Sequence, residues 1–192
     1  MRGTSLTGVA SCSGFRRAGI LVGAVILAYG CSRPTDQPLA TSQPTDTAPQ
    51  IGAVSPTSGQ GRSATFRVVA SHPAGAAAIG DLEVLIDEKM TEKALSACWI
   101  DVRSLKSVAV RNEEGSDWLP SVPIGSAEAA VNSRCRIDAS GVKVEVRGNE
   151  LVVTLPVTFS AEFKQGAKRV WVVASGPRKH SGWQERATWT VN

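Results

Sequence analysis

Histidine is almost missing from this sequence: His72 and His180 are the only two in 192 residues. They stand in separate stretches, neither inside a recognisable motif, so acid–base catalysis has little to start from. No G-x-S-x-G elbow, H-E-x-x-H helix, C-x-x-C pair or P-loop is present either. The usual sequence signs of an α/β-hydrolase, a zincin, a dithiol redox centre and a nucleotide site are therefore lacking. Both histidines read as solvent-exposed loop residues, and no cofactor or metal is implied. Long apolar runs are lacking as well. The longest, residues 18–30 (AGILVGAVILAYG), covers about 20 Å as a helix, short of a hydrocarbon core of about 30 Å.

Acidic residues are missing too, up to Asp36, while Arg2, Arg16 and Arg17 precede the apolar run. A positive start, a short apolar stretch and a small residue before its end describe a secretory signal over residues 1–30. The segment Leu27-Ala28-Tyr29-Gly30-Cys31 resembles the lipobox of bacterial lipoproteins, with Ala28 where leucine is usual. The resemblance implies that Cys31 takes a diacylglyceryl group and becomes the mature N-terminus. Acyl chains contribute about 0.8 kcal/mol per buried methylene, so two or more hold a chain firmly at a membrane. Ser32 after the cysteine is compatible with outer-membrane sorting in the lipoproteins this resembles. Residues 31–55 are rich in Pro, Thr, Ser and Gln and poor in large apolar side chains, which reads as a disordered tether. The remainder, 56–192, is the expected folded domain.

Export also changes the charge argument. The whole chain carries 21 basic and 17 acidic residues; without Arg2, Arg16 and Arg17 the basic count falls to 18 and the net charge to +1. The basic pI belongs largely to the signal, and a nucleic-acid partner loses its support. Cysteine is scarce, at four. Cys12 leaves with the signal and Cys31 is spent on lipid, so Cys98 and Cys135 form an even pair in an exported chain. A disulfide is expected between them, worth roughly 4 kcal/mol on the chain-entropy estimate.

From residue 56 onward the sequence alternates. Apolar residues fall on one side of 64–70, 82–87, 97–103, 106–112, 134–138, 168–175 and 183–191. The clearest case is 142–159, where Val142, Val144 and Val146 oppose Lys143, Glu145 and Arg147. Gly148-Asn149 then turns the chain, and Leu151, Val153, Leu155, Val157 and Phe159 resume the apolar face. Nine such runs without a long helical period predict an all-β, two-sheet antiparallel sandwich. Cys98 shares its phase with Ile100 and Val102, and Cys135 with Ile137, so both sulfurs should point inward. A short helix or helical turn is expected near 87–94 or 160–164.

The stretches VSPTSGQGRSATFRVVASHPAGAAAIGDLEVLID, ACWIDV, NSRCRID and SGWQERATWTV, in that order, resemble a module repeated in large secreted proteins of acidobacteria. The resemblance covers roughly 54–191 and implies an immunoglobulin-like sandwich with a cysteine pair, part of a surface protein. No catalytic or ligand residue carries over from it. His72 stands where such modules commonly have an acid, which removes support for a cation role in that loop.

Three clusters remain to be placed. Glu113, Glu114 and Asp117 gather in one turn but lack the D-x-D-x-D-G spacing of a calcium loop, and read as a solvated acidic turn. Basic residues in 164–169 and 177–180 are separated by one strand, so they should lie at opposite ends of the sandwich as solvated loops. Five tryptophans against one tyrosine is a high ratio. Trp99, Trp118 and Trp171 fall out of phase with the core and are the candidate ligand contacts, whereas Trp183 and Trp189 should pack. The expected function is a lipid-anchored, non-catalytic binding, adhesion or envelope-organising module, whose partner is an envelope protein or a polysaccharide. The carbohydrate-binding alternative would use the exposed tryptophans, and a second alternative is an enzyme with an unrecognised site.

Overall fold

The computed structural model describes residues 47–91 and 97–192. The expected signal peptide, the Cys31 lipidation site and most of the tether lie outside the described residues. Twelve strands follow one another: β1 (Gln50–Ser55), β2 (Ser63–Ser71), β3 (Asp81–Asp87), β4 (Cys98–Arg103), β5 (Ser107–Val110), β6 (Val122–Pro123), β7 (Ala129–Val131), β8 (Cys135–Asp138), β9 (Lys143–Arg147), β10 (Glu150–Phe159), β11 (Gly166–Ser175) and β12 (Gln184–Val191).

They form two antiparallel sheets. The first runs β1-β2-β10-β8-β7, with β9 also on β10; the second runs β12-β11-β3-β4-β5-β6. With β1, β2 and β10 read as strands A, B and E, this is the immunoglobulin arrangement, in which β4 and β5 take the places of C′ and C″. The alternation explains why. Phe66, Val68, Leu82, Val84, Leu155 and Val172 sit on the facing sides and are fully buried. Gly148 turns β9 into β10 at φ +60°, a backbone conformation that glycine adopts freely.

The disulfide forms as expected. Cys98 of β4 and Cys135 of β8 lie 5.6 Å apart at Cα and join the two sheets through the core.

Two expectations are corrected. The folded domain starts before residue 56: β1 covers Gln50–Ser55, and Ile51 and Val54 are buried. The polar composition of that stretch concealed a strand with only two inward side chains. The helical turn expected at 160–164 does form, Phe163 N–H bonding the Ser160 carbonyl; short 3₁₀ turns also fall at Ala76–Ala78 and Ala139–Gly141, and residues 92–96 of the other expected stretch lie outside the described part. His72 is not a solvent-exposed residue. It is 5% exposed, its Nε2 is 2.8 Å from the Thr47 carbonyl, and Ala74 N–H donates to its Nδ1 at 3.1 Å. Those partners assign the Nε2–H tautomer, so the imidazole clasps the entry of the chain onto the end of β2.

A near end, where the described chain begins, and a far end follow from the strand directions. The start of β1, the end of β2 and the β9–β10 turn lie together, with Gln50 and Glu150 both paired to Ser71. The disulfide and the beginning of β4 lie at the opposite end.

Candidate functional site

Tryptophan marks the site, though not in the form the alternation suggests. β4 projects Trp99, Asp101 and Arg103 from the outer face of the second sheet, opposite Leu85, Glu83 and Asp81 of β3. Residues 111–118 then fold back beside β5. Arg111 bridges Trp118 across the loop, and Asn112 Oδ1 accepts from the amides of Ser116 and Asp117 at 2.9 and 3.2 Å. This turn delivers the Trp118 indole onto the sheet.

The result is a layer of indoles and guanidinium groups. Trp99 meets Trp118 and Trp183 edge to face, with centroids 5.9 and 5.7 Å apart. The Arg111 guanidinium lies 4.6 Å from the Trp99 ring and 4.8 Å from the Trp118 ring, and Arg103 stands 5.2 Å from Trp118. Edge-to-face pairs contribute about 0.5–1.5 kcal/mol each and exposed cation–π contacts about 0.5–1 kcal/mol. Trp99, Trp118 and Trp183 all remain half-buried.

Carboxylates lie within the layer. Trp99 Nε1 donates to Glu83 Oε2 at 2.8 Å, and Arg103 Nε donates to Asp101 Oδ2 at 2.7 Å. Asp101 is buried, and its Oδ1 has no hydrogen-bond partner among the described residues; nor does Arg111 Nε. Burial pushes the Asp101 carboxyl up to about 6; Arg103 pulls the other way, and the charges of Glu83 and Asp81 add to the rise. Glu83 is raised by burial as well, against the pull of the Trp99 indole and Arg111. Two directly opposed carboxyls therefore share one desolvated face.

Trp99 and Trp118 come together as candidate contacts, and Trp171 does not. At 8% exposure it packs with Leu85 and Ala97, against Trp99 and Trp183, in a small cluster on the outer face. Trp183, expected only to pack, completes the half-exposed row. Trp189 packs against Phe66 as expected, 5.8 Å between centroids. Among the described residues, the acidic turn gathers no group of three His, Cys, Asp or Glu side chains placed to hold a metal ion. Its Glu113 accepts from the Ser133 amide at 2.6 Å and from the Ser133 hydroxyl. Lys168 departs from the solvated-loop reading: it is 2% exposed, lies over the Phe163 ring and pairs with Glu88 at 3.1 Å.

No protein-family model matches this chain, and no curated protein matches it.

Proposed function

We propose that this protein is a lipid-anchored, extracytoplasmic and non-catalytic binding module, held at the cell envelope through Cys31. In this reading it contacts an envelope protein through the outer face of the second sheet. The observation that carries the contact surface is the half-exposed row Trp183–Trp99–Trp118, interleaved with Arg111 and Arg103. Tryptophan and arginine are the residues enriched at the energetic centres of protein interfaces. A glycan would need a bare indole face to stack on, and Arg111 lies over both Trp99 and Trp118. Export is supported by the apolar run ending at Cys31 and by a cross-sheet disulfide, a bond that persists in oxidising compartments. The acidobacterial module resemblance agrees with a surface protein.

Two measurements test this. The Cys31→Ser chain should move from the membrane to the soluble fraction; continued membrane association would remove the lipid anchor. Immobilised protein should retain a native envelope protein and lose it on Trp118→Ala, with the fold kept. Retention on peptidoglycan or an insoluble glycan instead would make this a carbohydrate receptor.

A further inference from the structure

Open sheet edges invite pairing, and nearly every edge of this sandwich is blunted. The register of β1 breaks between Ile51 and Val54, and Arg186 Nη2 donates to the Ile51 carbonyl at 2.8 Å. Residues 57–61 cover β12: Thr188 and Thr190 N–H donate to the Thr57 and Gly59 carbonyls, and Gly61 N–H donates to Thr190. β6 is two residues long and ends in Pro123, and β7 is three residues long. β9 is the exception. Its five residues pair with β10 in unbroken register, and no strand lies on its other side among the described residues. Its core-side Val146 is 54% exposed.

The main chain of β9 is set for a partner. Arg147 and Glu150 flank a two-residue turn and form a hydrogen-bonded pair, so the N–H and C=O groups of Val144 and Val146 point away from β10. The charges of the strand choose what fits there. Lys143, Glu145 and Arg147 share the outer face. An antiparallel copy centred on Val144 sets each Lys143 opposite the partner's Glu145 and each Val142 opposite the partner's Val146. Centring on Glu145 instead opposes like charges throughout.

We infer that β9 is a self-association strand: two copies of this chain join antiparallel, edge to edge, about a twofold axis at Val144, and merge their first sheets. Such a contact is isologous and closes at two copies, so it forms a dimer and not a fibre. It also places the two Thr47 entry points at opposite ends of the dimer.

The test is sedimentation of the full chain carrying Cys31→Ser, with near-UV dichroism of the tryptophans confirming the fold of each variant. A concentration-dependent dimer is expected. Lys143→Glu and Glu145→Lys should each weaken it roughly tenfold, because each turns two opposite-charge pairs into like-charge pairs. The double variant restores both pairs and should restore the dimer. A wild-type chain that stays monomeric over its whole soluble range overturns the inference. So do single variants without effect, or a double variant no better than either.

Discussion

The two sheets share a core and differ on their outer sides. The first sheet presents Thr65, Arg67, Lys143 and Thr158, all exposed, as a half-buried strand face should. The second buries Leu85, Asp87, Asp101, Ala109, Trp171 and Val173 on the corresponding side. Long side chains and the 111–118 turn cover that sheet a second time, so the molecule has a thin outer layer in addition to its central one. Buried carboxyls sit in this layer, whereas the first sheet leaves its charges in water. A sheet that only needed solubility would resemble the first. The second carries a further packed layer on that side.

That contrast can be broken most severely at Trp171. Its truncation to alanine should cost about 3 kcal/mol in urea unfolding, as for a buried aromatic, while Thr154→Ala on the first sheet should cost under about 0.5 kcal/mol. Equal costs would mean that the outer layer contributes nothing to stability. Arg111→Ala should cost about 1–2 kcal/mol through its two ring contacts and shift the near-UV tryptophan signal. Arg67→Ala on the opposite outer face should leave that signal unchanged.

Acidity sharpens the contrast further. Burial pushes the Asp101 carboxyl up to about 6 in the folded chain, above the ordinary aspartate value of about 3.8, so the folded state holds the extra proton in between. The contribution of this group to stability is complete below about pH 4 and is lost as pH rises through about 6, by an amount on the order of 1 kcal/mol after solvent screening. Asp101→Asn should flatten that slope and raise stability at pH 7.5 relative to the parent chain. A slope that persists in Asp101→Asn would assign the titration to another group.

Much of the frame was legible because it rests on local signals. The alternation of 142–159 and its Gly148-Asn149 turn gave β9, β10 and their register, and the phase of Cys98 and Cys135 placed the disulfide in the core. β1 was concealed because a strand with two inward side chains, Ile51 and Val54, looks like its polar surroundings. β6 and β7 are too short to establish a period. The outer layer was hidden for a different reason. Alternation tells which side of a strand faces the core, but not what a distant loop lays over the other side. Trp171 therefore reads as outward, and its cover comes from residues remote in sequence. His72 and Lys168 were misplaced in the same way, since Thr47 and Glu88, their partners, lie 25 and 80 residues away.

The clasp of His72 on Thr47 has a mechanical consequence. A pull along the preceding chain reaches the domain at Thr47 and is carried first by that single hydrogen bond. It then runs along the axis of β1, whose pairing with β2 extends from Gln50 to Ser55. When the opposing grip is at the far end, beside Trp99 and Trp118, the strand is loaded in shear and its cross-strand bonds bear the tension together. A grip at the near end would peel them one at a time. A grip on the indole row would therefore load the domain along its stronger direction.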